Sequence, residues 1–275
     1  MKIGIFAKTF VRPTLAETLD DTAQHGIYDV QFNLSCAGLP SMPDRIDPAL
    51  AIMIRRELAA RKIRMAAISG TFNMIDPDPE QRRVGMRRLR TLAAACRDLG
   101  VELITLSTGT RDPHNLWRRH PDNDTADAWR DLLAAMREAV QIAEEHRVML
   151  AFEPEIANVV DSAAKARRLL DAIGSPQLKV VMDGANLFHA GELARMREIL
   201  EEAFALLGGD IALAHAKDLS RDGEAGHEAA GDGCLDYALY VSLLRRVGYR
   251  GPLILHALVE EQVDRCMAFL RRNGV

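Results

Sequence analysis

Four residues that could share one piece of chemistry each stand directly after a short apolar run. Met149-Leu150-Ala151-Phe152 leads into Glu153, Val180-Val181-Met182 into Asp183, Ala212-Leu213-Ala214 into His215, and Leu253-Ile254-Leu255 into His256. Two carboxylates and two imidazoles make a donor set for a divalent cation. A mixed oxygen and nitrogen set suits Mn, Co, Zn or Fe better than Mg or Ca. One such residue alone more often caps a helix or joins a polar network; four in matching positions argue for shared ligation. Glu153 could also take a proton from carbon, with His256 or Lys217 completing the proton path. Lys217 and Asp218 follow His215 directly. Lys217 could hold an oxyanion, or the two could form a surface ion pair.

The elements carrying these residues follow from the hydrophobic pattern. Apolar runs at 3–7, 28–33, 65–68, 103–106, 148–152, 178–182, 211–214 and 252–255 are each too short for a helix and mostly lack in/out alternation, as expected of strands buried on both faces. Amphipathic stretches lie between them. Trp129, Leu132, Leu133, Met136 and Val140 share one helical face, as do Val263, Cys266, Met267 and Leu270. Thr14-Leu15-Ala16-Glu17 is a capping-box pattern, Gly26 a helix stop, and Asp47-Pro48 and Asp78-Pro79 are helix starts. Eight strand–helix units over 275 residues predict an α/β fold, a single-domain (β/α)8 TIM barrel spanning 1–275. A doubly wound open sheet usually has fewer strands and often a glycine-rich loop after the first, where this chain reads Ala7-Lys8-Thr9-Phe10. In the closed barrel the C-terminal strand ends share one mouth, which brings the four candidate ligands together.

Composition narrows the setting. The chain is 48% hydrophobic, 27% charged and carries a net charge of −4, which excludes disorder and gives no basic face for nucleic acid. Its apolar runs fall far short of the roughly 20 residues needed to cross a bilayer, and its start lacks the pattern of a signal peptide. Cys36, Cys96, Cys234 and Cys266 stand far apart and read as reduced thiols. The expectation is a cytoplasmic protein without membrane or nucleic-acid partners; a homo-oligomer is compatible with the sequence.

Glu153 after its strand, Asp183 in Met-Asp-Gly-Ala-Asn and His215 in His-Ala-Lys-Asp resemble the metal-binding strand ends of the xylose isomerase-like TIM barrels. The segment Gly231-Asp-Gly-Cys-Leu-Asp236, and Gly248-Tyr-Arg-Gly-Pro-Leu-Ile after it, are similar to the end of those barrels. The resemblance covers nearly the whole chain and is strongest over 148–256. It implies a sugar, sugar-phosphate or inosose-processing enzyme, or a member of the endonuclease IV group. The last is disfavoured because such enzymes gather more histidines around several metals. Arg221 matches an arginine that contacts substrate oxygens in ketose epimerase relatives. Asn186 stands where those relatives place a substrate-contacting histidine, and His189 follows it.

One position departs from the pattern. The isomerase and epimerase members usually end strand eight with glutamate, and this chain has His256. Three carboxylates against a divalent ion leave one negative charge; two leave none, giving a stronger Lewis acid. A metal-bound imidazole has its other nitrogen protonated and serves as ligand or base, not readily both. The scheme with one glutamate on each face of the reacting carbon is therefore in doubt, and Glu260 or Glu261 is a poor substitute at the start of the last helix. The loop from Gly109 to Asn123 carries Arg111, His114, Trp117, Arg118, Arg119 and His120, an aromatic and several cations that could clamp a sugar ring or phosphate. Lys8 and Asn73 are weaker candidates, and Asn158 could orient Glu153.

The reading is a divalent-metal-dependent isomerase or epimerase of a sugar, sugar phosphate or cyclitol, acting by proton abstraction through a metal-bound enediolate. Its metal ligands are Glu153, Asp183, His215 and His256. Its catalytic groups are Glu153, His256 and Lys217, and its substrate contacts Arg221, Asn186, His189, Trp117 and Arg111. The alternatives are a metal-dependent dehydratase or lyase on a keto-sugar or inosose, and a catalytically inactive sugar-binding barrel.

Overall fold

Every apolar run of the sequence is a strand. The computed structural model describes all 275 residues, Met1–Val275. Its barrel strands are β1 (Lys2–Phe6), β2 (Asp29–Phe32), β3 (Arg64–Ser69), β4 (Leu103–Ser107), β5 (Met149–Glu153), β6 (Leu178–Asp183), β7 (Ile211–Asp218) and β9 (Pro252–Leu255). A two-residue strand, β8 (Glu228–Ala229), pairs antiparallel with the end of β7 and is too short to register as an apolar run. The others are parallel, and the pairings β6–β7, β7–β9 and β9–β1 close the ring. The fold is thus a closed (β/α)8 barrel.

The helices are α1 (Leu15–Gln24), α2 (Pro48–Ala60), α3 (Pro79–Leu99), α4 (Ala126–His146), α5 (Ala163–Ile173), α6 (Met196–Leu207), α7 (Tyr237–Arg246) and α8 (Val263–Arg272). Thr14 closes the expected capping box with Glu17, Asp47 and Asp78 cap α2 and α3 ahead of their prolines, and Gly26 takes φ +71° just beyond α1. These caps satisfy amide groups that the helices leave open and so fix where each helix begins. A large apolar core joins helices to the outside of the ring. A separate small cluster of Phe6, Ala67, Leu103, Ala151, Val181, Leu213 and Ile254 takes one side chain from each of seven barrel strands. Only β2 contributes none; it carries buried Asp29 and Gln31 instead.

Two-residue alternation from this inner layer decides what faces the mouth. Glu153 follows Ala151 by two, Asp183 follows Val181, His215 and Lys217 follow Leu213, and His256 follows Ile254. β7 runs four residues past the apolar run, to Asp218, and His215 and Lys217 in that extension are polar yet buried. The β6–β7 register sets Asp183 directly beside His215. Tyr240 of α7, fully buried, places its hydroxyl 2.9 Å from the Met182 carbonyl and 3.0 Å from that of His215, anchoring both strand ends. Asp218 accepts from the amides of Leu219, Gly231 and Leu235 at 2.9–3.0 Å, and so folds the loop that leads to α7.

Tyr240→Phe strands two buried carbonyls and should cost about 1–2 kcal/mol. Thermal denaturation checks this: a lowered Tm with unchanged far-UV circular dichroism is expected, and an unchanged Tm would remove the hydroxyl's anchoring role.

Candidate metal centre

Four strand ends converge as the alternation requires. Asp183, His215 and His256 offer donor atoms that all lie within 4.8 Å of one another. Glu153 joins through Oε1, which is 3.4 Å from His215 Nδ1, while Asp183 Oδ2 is 3.6 Å from the same nitrogen. The imidazoles of His215 and His256 meet edge to face with centroids 5.0 Å apart, and Phe6 packs on His256 in the same manner. Asp183 Oδ2, His215 Nδ1 and His256 Nδ1 are all buried without a hydrogen-bond partner. Unpaired buried polar atoms are costly. Here they are a carboxylate oxygen and two imidazole nitrogens on three residues that can bring donor atoms close together, which is the donor chemistry of a divalent cation. The residues fit the group.

Lys217 adds a cation of the protein's own. Its Nζ lies 3.1 Å from Asp183 Oδ2 and 3.4 Å from Glu153 Oε1. The closer approach lacks hydrogen-bond alignment, so Asp183 Oδ2 is ion-paired yet has no donor. Asn186 donates to Glu153 Oε1 at 2.6 Å, and its own carbonyl accepts from the Gly226 amide. On the far side of the ring, His215 Nε2 is 2.7 Å from Gln31 Oε1, and Gln31 donates onward to Thr105 Oγ1.

Burial and charge compete in this cluster. Burial works to raise the Glu153 carboxyl, but Lys217 and then His215 outweigh it and hold it well below the usual range. Burial lowers His215, yet Glu153 and Asp183 push it up to about 9. Lys217 loses solvation too and is still held firmly protonated by Asp183, Glu153 and Glu155. His256 moves the other way: burial and the charges of Lys217 and His215 drive it well below the ordinary imidazole value. Glu155, buried with one carboxyl oxygen unpartnered, is pushed up to about 8, chiefly by desolvation.

The other candidate residues divide. Asn186 sits on Glu153, while Asn158 does not orient it: Asn158 accepts from the Gly109 amide and donates to the Leu116 carbonyl. Arg111 lies between α3 and α4, bound to the Ile75 carbonyl and to Asp131, so its guanidinium is committed to the fold. Arg118 and Arg119 likewise pair with Asp112 and with Asp161 and Asp124. Their partners are aspartates that the sequence pattern does not single out. His189 turns Nε2 to the Asp161 carbonyl at 3.1 Å. Trp117 is exposed, and Arg221 is exposed in an ion pair with Glu224. Asn73 braces the Thr110 backbone, Lys8 lies 4.5 Å over the Phe6 ring, and Glu260 is tied to Arg12. Lys217 and Asp218 are no surface pair: both are buried, and they face different tasks.

Sequence reasoning missed Gln31 and Glu155. A lone polar residue within Val30-Gln31-Phe32 is a signal for the first, and the repeated acid of Glu153-Pro154-Glu155 for the second. A cavity of about 1310 Å³ opens at the opposite end of the barrel among Arg55, Arg97, Arg147 and Lys179. None of the converging residues lines it, and the chemistry of such barrels sits at the C-terminal strand ends.

The sequence matches the xylose isomerase-like TIM barrel family over residues 19–273, and the chain belongs to that family. Among solved structures it resembles 3-keto-D-glucoside 4-epimerase from E. coli, with 16% identity, 99% of each chain covered and a TM-score of 0.73. It resembles the IolI protein with a zinc atom at 15% identity, covering 100% of this chain and 97% of that one, TM-score 0.74. D-allulose 3-epimerase from Methylomonas sp., in complex with D-allulose, is similar at 14% identity, 99% and 97% coverage and a TM-score of 0.74. No curated protein matches the chain in sequence.

A divalent cation must displace the proton that His215 holds up to about 9. Apparent zinc affinity should therefore climb as pH rises from neutrality toward that value and then level. Calorimetric titration across pH checks it; a flat profile would mean that His215 is not a ligand.

Proposed function

We propose that this protein is a divalent-metal-dependent isomerase or epimerase acting on a sugar, sugar phosphate or cyclitol. The observation that carries the reading is the set of unpartnered buried atoms on Asp183, His215 and His256, with Glu153 beside them. Structural likeness to several sugar epimerases supports the substrate class. Glu153, Asp183, His215 and His256 would hold the metal. Mn, Co, Zn or Fe suits the mixed donors better than Mg. When bound, the ion supplies Lewis acidity that makes the C–H beside a chelated carbonyl easier to ionise.

The chain's own residues supply the rest. Glu153 stays ionised beside Lys217, with Asn186 fixing its orientation, and is the group to remove the proton from carbon. Lys217 is a buried ammonium that holds negative charge as it develops on substrate oxygen. His256, kept unprotonated by burial, serves as ligand; as a base it would have to leave the ligand set. Asn186, His189, Arg221 and Trp117 are the proposed substrate contacts, with the first in the best position; Arg111, bound to the Ile75 carbonyl and Asp131, is not among them. No helix is long and apolar enough to cross a membrane. A small-molecule partner in the cytoplasm, with no nucleic acid, suits the site.

His256 in place of glutamate also favours a second reading, a dehydratase or lyase that needs only one carboxylate base. Solvent deuterium entering a carbon-bound position of a same-mass product supports the isomerase, and loss of water supports the lyase.

Glu153→Gln should lower deuterium wash-in by about 10²–10⁴-fold, and Asp183→Asn should abolish metal uptake. Metal analysis and exchange measured by mass spectrometry check both. Full metal occupancy in both variants would refute the ligand set. A large gain in epimerase activity for His256→Glu would show that the histidine marks a different reaction.

A further inference from the structure

We infer that Gln31 is a positioning residue of this centre: it holds His215 in the Nε2–H form and so leaves Nδ1 as the nitrogen available to a cation. The inference rests on the metal reading above and deepens it. Gln31 lies on β2, at the one place where the β2–β3 register shifts, between Val30 and Gln31. Its side chain is buried, as are those of His215 and Thr105. β2 neighbours neither β7 nor β4 in the ring, so both hydrogen bonds cross the barrel interior rather than run along the sheet.

The direction of those bonds decides the tautomer. A carboxamide has one accepting and one donating end. With Nε2 of Gln31 donating to Thr105 Oγ1 at 3.2 Å, Oε1 faces His215 at 2.7 Å and can only accept. His215 Nε2 must then carry a proton. Its Nδ1, facing Glu153 Oε1 and Asp183 Oδ2, is the nitrogen whose proton exchanges with a metal. Reversing the carboxamide would reverse the outcome. The imidazole proton would move to Nδ1, against the two carboxylates, and the ligand atom would be lost. The seven strands that place an apolar side chain in the inner layer leave β2 to supply this acceptor.

The test uses the full-length protein labelled with ¹⁵N-histidine, with zinc as the probe. Imidazole nitrogen shifts are read in the metal-free protein at a pH where the shifts themselves show the His215 ring to be neutral. The wild type should carry the His215 proton on Nε2. Gln31→Leu should lose zinc affinity by about 10–100-fold. Gln31→Glu, whose carboxylate accepts the same proton, should retain it. A proton on Nδ1 in the wild type, or wild-type affinity in folded Gln31→Leu, overturns the inference. If Gln31→Leu does not fold, the wild-type tautomer and the Gln31→Glu affinity decide. Failure of the wild type to bind zinc would refute the metal reading, and the tautomer measurement would still judge Gln31.

Discussion

Two carboxylates buried side by side at the ends of β5 and β6 are the constraint around which the mouth of this barrel is built. Like charges in a low-dielectric interior repel strongly, and each loses its hydration. Lys217 and His215, both on β7, supply the compensation, and both approach the same two oxygens, Glu153 Oε1 and Asp183 Oδ2. Compensation is incomplete: one carboxylate oxygen and two imidazole nitrogens keep no hydrogen bond. A centre that neutralises its net charge yet leaves donor atoms open is suited to receive a cation.

The remaining architecture serves that arrangement. Tyr240 ties the ends of β6 and β7 together from outside the ring, Asn186 secures Glu153, and Asp218 folds the following loop by collecting backbone amides. The cationic loop after β4 is mostly bound into the fold by aspartates of its own (Asp112), of α4 (Asp131) and of the loop after β5 (Asp161). Its arginines belong to the scaffold because a guanidinium beside a buried or half-buried carboxylate gains a fixed, forked pairing that holds loop segments in place. The mouth is thus less positively charged than the composition of that loop suggests.

His256 gives the centre its individual character. The imidazole brings no negative charge where the resembling enzymes usually place a carboxylate, and burial, with the charges of Lys217 and His215, holds it well below the ordinary imidazole value. Among the nearby acids, Lys217 and His215 hold Glu153 well below the usual carboxylate range against the effect of burial, whereas desolvation pushes Glu155 up to about 8.

The fold was legible in the sequence to within a residue or two at most strand starts, since fully buried parallel strands appear as apolar runs and helix caps carry side-chain signatures. The convergence of four strand ends was legible for the same reason: alternation from an apolar inner residue fixes which way Glu153, Asp183, His215 and His256 point. Lys217 was visible as a residue, but whether it faced solvent or the centre depended on how far β7 continued. Gln31 and Thr105 could not be linked to His215 by spacing, because their strands meet only across a closed ring. Arg111 and Asn158 show the converse, as their partners are set by loop packing between distant segments. The sequence by itself determined the barrel and its chemical inventory, through periodicity and local capping. Tertiary structure alone decided which polar groups are paired, and therefore which atoms remain free, because pairing depends on distances that only ring closure sets.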